Sequence, residues 1–387
     1  MLNKLFCSLW SIGFRPFFLL AAASSVVFMA IWGGMIAHGN FPQNYYNPVS
    51  WHAHEMLFGY TVAVLSGFLL TAVKNWTGRE TAEGAKLAAL AVLWLLGRAV
   101  PFMANILDGW LIALVDLAFL PCLILYLAIP IWQQATLRNV PVLLLLLGMF
   151  VSNVLFHLDV LKLTAIGVGP LSHLVIGIIL IFITIIAGRV VPFFIKSGSP
   201  GSIPVVWPLV EWVSVLSIVV LMILKPFYYG SYAFLACCAV AMASNTIRMT
   251  GWYCKGIYRL PMLWVLFSGY LWMIVGVSLD FLSVFDIVPP QLALHAMTAG
   301  AIGVLTLGMM CRVSLGHTGR AIKANAIILA AFLSINAAVF FRVIVPLFMP
   351  ADYVLWLTVS SGLWLMAFLL FFIYFTPVLL RRRIDEA

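Results

Sequence analysis

Histidine is the residue type in this chain whose placement points most directly to chemistry. There are seven: His38, His52, His54, His157, His173, His295 and His317. Imidazole is the commonest protein ligand for haem iron, copper and zinc. His52, His54, His157, His173 and His295 each fall near the end of a long apolar run. Acids and a base stand close to the same ends: Glu55 directly after His54, Arg98, and Asp116. A metal-bound imidazole usually gives its second N–H to a carboxylate or carbonyl, so Glu55 and Asp116, with Met56, are expected around the ligands rather than among them. The H-x-H spacing of His52 and His54 sends two imidazoles to nearly opposite sides of one helix. Both can serve one ion only if His52 precedes the helix. Otherwise they serve two neighbouring sites. A proton relay is the main rival to a cofactor site.

The elements that must position these residues are membrane spans. The chain has 387 residues, 64% hydrophobic and 9% charged, with a mean hydropathy of +1.13. A soluble domain is nearer half apolar and a quarter charged, so lipid must cover much of this one. Twelve segments are long enough to cross, at 17–37, 54–74, 86–104, 110–131, 140–159, 171–191, 206–224, 231–249, 261–282, 291–311, 324–345 and 353–379. The expectation is an all-α polytopic protein, one transmembrane domain over 1–387 with no soluble domain. Lys4 and Arg15 before the first run resemble a signal peptide, but that run continues for about twenty residues and reads as a retained first helix.

The net charge of +9 does not point to nucleic acid, because the basic residues sit in short loops. With a cytoplasmic N-terminus, only Arg98, Lys162, Lys225 and Arg342 of the 21 Lys and Arg fall outside. The other 17 fall inside, as the positive-inside rule requires, and the C-terminus is cytoplasmic too. Six cysteines, Cys7, Cys122, Cys237, Cys238, Cys254 and Cys311, form no C-x-x-C pair and read as small residues of apolar runs.

This topology places five histidines within a layer roughly 10 Å deep at the outer face, by the helical rise of about 1.5 Å per residue. His317 alone is cytoplasmic. With Arg312 and Arg320 it forms a basic cluster that suits an anion, lipid phosphates, or the fixing of a helix end. The second and tenth spans also repeat. His54, Met56, Gly67, Thr77, Gly78 and Arg79 match His295, Met297, Gly308, Thr318, Gly319 and Arg320 at identical offsets. His173 opens the sixth span, which suggests three units of four helices. That plan resembles the core subunit of haem–copper oxidases and nitric oxide reductases. The chain departs from them: it has no adjacent histidine pair, and its H-x-H lies on the second span, not the tenth.

Five blocks carry a closer resemblance. They are S-I-G-F-R-P-F-F (Ser11 to Phe18), W-H-A-H-E-M-L-F-G (Trp51 to Gly59), G-F-L-L-T-A-V-K-N-W-T-G-R (Gly67 to Arg79), G-R-V-V-P-F-F (Gly188 to Phe194) and L-G-M-M-C-R-V-S-L-G-H-T-G-R (Leu307 to Arg320). Together they resemble the NnrS family of bacterial inner-membrane proteins over essentially the whole chain. The resemblance implies haem, of b type, and copper, and protection from nitric oxide. It implies nitric oxide or a nitrosyl species as ligand, the bilayer as surroundings, and an electron donor the motifs do not specify. It does not imply an established turnover reaction. The family's H-A-H-E-M carries over to His52, His54, Glu55 and Met56, and its other histidines to His173 and His295. No family motif surrounds His157. On this reading His54 and His295 hold a haem, Arg98 meets a haem propionate, and His52, His173 and His157 hold copper. The competing class is a transporter of a small molecule, a nitrosyl–metal complex or a metal ion. Its Gly and Pro interruptions, Gly167–Pro170 and Pro289–Pro290, fall at helix ends rather than in midspan. A sensor or assembly partner is a third class, with no motif in its favour.

Overall fold

A computed structural model of the chain describes residues 8–134 and 137–384. Lys4 and Cys7 lie outside the described residues. Among those described there is helix throughout and no strand. Twelve helices are long and apolar enough to span a membrane. In chain order they are α1 (Phe14–His38), α2 (Pro48–Thr77), α3 (Gly84–Met103), α4 (Gly109–Gln133), α5 (Leu137–Val160) and α6 (Val168–Gly198). Then come α7 (Pro208–Tyr228), α8 (Tyr232–Gly251), α9 (Pro261–Ser283), α10 (Pro290–His317), α11 (Ala326–Phe348) and α12 (Pro350–Leu380). Helix is the only way an open chain can satisfy its backbone in hydrocarbon.

The helices group into two compact units. The first takes the chain up to Ser172, Met310–Ile322, and the segment from Phe368 onward. It therefore holds α1 to α5 and the C-terminal ends of α10 and α12. Arg15 of the S-I-G-F-R-P-F-F block is buried in it. Its guanidinium donates to the carbonyls of Leu379 and Arg381 at 2.7 and 2.6 Å, closing the last turn of α12. A cation there answers the unpaired carbonyls and the negative end of the helix dipole. The second unit is His173–Met309 with Lys323–Ala367. Its inner pin is Arg248 of α8, which donates to Glu211 of α7, the Thr184 carbonyl of α6 and the Tyr270 hydroxyl of α9.

The two matched spans share local geometry. α2 starts on Asn47, whose side chain accepts from the Ser50 amide at 2.9 Å, with Pro48 at the first helical position. It is α-helical to His54 and π-helical over Glu55–Thr61, then returns to α. α10 is α-helical to His295 and π-helical over Ala296–Val304. Thus each π segment begins at the residue after the matched histidine. Gly78 ends α2 at φ 65°, and Gly319 follows α10 at φ 73°, a conformation that costs glycine nothing. Gly67 and Gly308 are each a close-packing point. A Cβ on Gly67 would lie 2.9 Å from Phe18 of α1, and one on Gly308 would lie 2.9 Å from Val265 of α9.

Candidate metal centre

The first unit gathers His54, Asp116 and His157, from α2, α4 and α5, around one point. One ligand atom from each lies within 4.8 Å of the others, and all three residues are buried. Asp116 Oδ2 is 2.9 Å from His157 Nε2 and 3.3 Å from His54 Nε2. In a tetrahedral site with bonds near 2.0–2.1 Å, neighbouring ligand atoms stand roughly 3.3 Å apart. The two distances from Asp116 Oδ2 are already close to that spacing.

Asn153 and His157 lie four residues apart on α5 and so share a face. Asn153 Nδ2 donates to Asp116 Oδ2 at 2.8 Å, which leaves its Oδ1 at 3.0 Å from His54 Nε2. The other nitrogen of His54 faces Glu55 Oε1 at 3.3 Å. A carboxylate there assigns the proton to Nδ1 and the lone pair to Nε2. Nε2 of His54 therefore faces two oxygen acceptors, Asn153 Oδ1 and Asp116 Oδ2, beside the hydroxyl of Tyr46.

Arg98, at the end of α3, holds the acids in place. Its Nη1 donates to both oxygens of Glu55, at 3.1 and 3.0 Å, and its Nη2 pairs with Asp116 Oδ1. Two glycines make room for these groups. A Cβ on Gly59 would stand 2.8 Å from Glu55 Oε2, and one on Gly97 would stand 2.8 Å from Asp116 Oδ1. Arg98 is thus the shared counter-charge of two buried acids.

The loop before α2 closes the set. The Tyr46 hydroxyl is 3.1 Å from His54 Nε2, and the Tyr45 hydroxyl is 3.5 Å from His157 Nδ1. Burial, helped by the Glu55 charge, pushes the Tyr46 phenol well above its ordinary value, so it remains an O–H donor. A cavity of about 10 Å³, lined by Arg98, Asp116, Asn153 and Phe58 among others, adjoins the cluster. That is the room of one water.

The expected residues are thus distributed as follows. His54, His157, Asp116, Glu55 and Arg98 converge in the first unit. Asp116 stands as a ligand candidate rather than a support. Arg98 is committed to two carboxylates, so a propionate would have to displace one of them. Met56 is half-buried in the π segment, where its carbonyl accepts the Thr61 hydroxyl at 2.8 Å. His52 turns away from His54, because Pro48–His54 is helical through both. It stacks on Trp32 of α1 with ring centres 4.2 Å apart. His173 and His295 belong to the second unit, both half-buried. At the opposite ends of the first unit's spans, the His317 ring meets that of Phe14 at 5.6 Å, Arg312 is buried, and Arg320 donates to the Thr318 carbonyl at 3.3 Å. Tyr45, Tyr46 and Asn153 were not anticipated. The i, i+4 spacing of Asn153 and His157 was the available signal for one of them.

The described residues thus hold an ion-sized, histidine–carboxylate cluster inside a twelve-span helical membrane protein. No curated protein matches the chain. The profile of the NnrS protein family matches residues 8–383 of the 387. The chain is a member of the NnrS family.

Proposed function

We propose that this chain is a haem- and copper-binding protein of the bacterial inner membrane that protects against nitric oxide, with copper held by His54, His157 and Asp116 near the periplasmic ends of α2 to α5. One observation carries the reading: two imidazoles and a carboxylate from three helices lie buried within 4.8 Å. Imidazole with carboxylate suits copper(II), zinc or non-haem iron, and family membership favours copper among them. Bound copper would supply a one-electron centre able to coordinate nitric oxide or a nitrosyl species. Around it, His54 and His157 offer Nε2 and Asp116 offers Oδ2. Arg98 keeps Asp116 turned toward both rings through Oδ1, Glu55 fixes the His54 ring, and Tyr46 places an O–H donor beside the ion. Haem belongs to the proposal as a second cofactor, held apart from this cluster.

The test is metal and haem analysis of the detergent-purified protein, with optical spectra before and after dithionite and nitric oxide. The reading expects copper, haem bands, and a nitric oxide-dependent change in the spectrum. A colourless, metal-free protein from haem- and copper-replete cells rejects it. A transporter of a metal ion or small molecule is the second reading. It draws on the Lys225–Asp280 pair, 2.5 Å apart and largely buried in the spans of the second unit. Metal uptake into proteoliposomes would favour it.

A further inference from the structure

The second unit carries a polar cluster that the metal centre does not use. His295 occupies the position in α10 that His54 occupies in α2, immediately before a π segment. Its surroundings differ. The His295 Nδ1 donates to the Gln291 carbonyl at 2.7 Å, which leaves the ring's lone pair on Nε2. Facing Nε2 at 3.1 Å is Nη2 of Arg342, from α11. Arg342 Nη1 donates to the Tyr353 hydroxyl of α12 at 2.9 Å, and the guanidinium lies 5.5 Å from the centre of the Tyr353 ring.

A cation in a membrane span pairs with a counter-charge or, as Arg15 does, with backbone carbonyls. Arg98, Arg248 and Lys225 each have one, from Glu55 and Asp116, from Glu211 and from Asp280. Arg342 is partly buried in α11, and among the described residues no carboxylate pairs with it. Its neighbours are instead a phenol, whose O–H is left to donate, and an imidazole. The guanidinium fork matches a planar or tetrahedral oxyanion bidentately. His295, Arg342 and Tyr353 are each half-buried rather than sealed, so an anion can reach them.

We propose that Arg342 and Tyr353, backed by His295, form an oxyanion site in the second unit that takes a carboxylate or phosphate group. Two sources carry that chemistry: the propionates of a haem, or the headgroup of an anionic lipid. The frame shared with α2 gives the position, and the missing counter-charge gives the sign of the ligand.

The test compares wild type with Arg342→Gln and Arg342→Lys in detergent, each first checked by size exclusion. Haem and haem dimethyl ester are titrated optically, and retention of phosphatidylglycerol is read by native mass spectrometry. If haem is the source, Arg342→Gln weakens haem binding at least tenfold, Arg342→Lys weakens it less, and the dimethyl ester no longer distinguishes the variants. If lipid is the source, Arg342→Gln loses phosphatidylglycerol, an outcome that supports the site even where wild type binds no haem and the haem reading fails. Should Arg342→Gln not fold, Tyr353→Phe is carried through the same titrations, with a smaller loss expected. Unchanged affinity for both haem and phosphatidylglycerol overturns the proposal.

Discussion

Asp116 Oδ2 approaches His157 Nε2 to 2.9 Å, while the other oxygen of the same carboxylate is held by Arg98. One oxygen faces the imidazoles and the other is anchored, so the carboxylate presents a fixed ligand atom without rearrangement. Asp116→Asn keeps the shape and removes the charge. Metal content should fall below that of wild type, with affinity down by more than about 100-fold, since even supporting residues at metal sites contribute 10–100-fold. Equilibrium dialysis against buffered copper checks this.

His52 and His54 separate sharply. His52→Ala removes a ring stacked on Trp32 and should leave metal content unchanged. His54→Ala should abolish it. Elemental analysis of the two variants, purified side by side, reads the difference. Equal losses in both would mean that the helical turn through Pro48–His54 does not describe the metal-bound protein.

Arg98 neutralises two buried acids. Arg98→Ala leaves Glu55 and Asp116 without their partner, and breaking a buried pair on one side costs about 3–5 kcal/mol. A large drop in thermal stability in detergent is expected, together with loss of metal. Arg248→Ala should show a similar stability loss through Glu211 but retain the metal, because its partners lie in the second unit. If Arg248→Ala also emptied the site, metal loss would report general destabilisation.

Gly59 and Gly97 are spacers for the charged groups. Alanine at either puts a Cβ 2.8 Å from a carboxylate oxygen of Glu55 or Asp116. Overpacking of this kind typically costs about 1–3 kcal/mol. Gly97→Ala, which displaces the ligand itself, should weaken metal binding more than Gly59→Ala. Melting curves and copper titrations separate the two effects.

The spans were legible because the bilayer leaves one backbone solution, and long apolar runs announce it. The expected 54–74 became Pro48–Thr77, since Asn47 and Pro48 start the helix before its apolar stretch begins. That earlier start is what sends His52 and His54 to different sides. The partners of each histidine were not legible. Which helices adjoin is absent from hydropathy, so His157, lacking a family motif, could not be joined to His54, and Asp116 could not be told from an interhelical hydrogen-bonding residue. The π segments after His54 and His295 leave no mark in composition. Only the repeated offsets hinted that the two helices share a local shape.

The most direct test of the central claim is the metal content of the purified protein beside that of Asp116→Asn, from copper-replete cells. The account predicts about one copper per wild-type chain, as a single histidine–carboxylate cluster would hold, and little or none in the variant. A metal-free wild type, or an Asp116→Asn protein with its full complement, would contradict it.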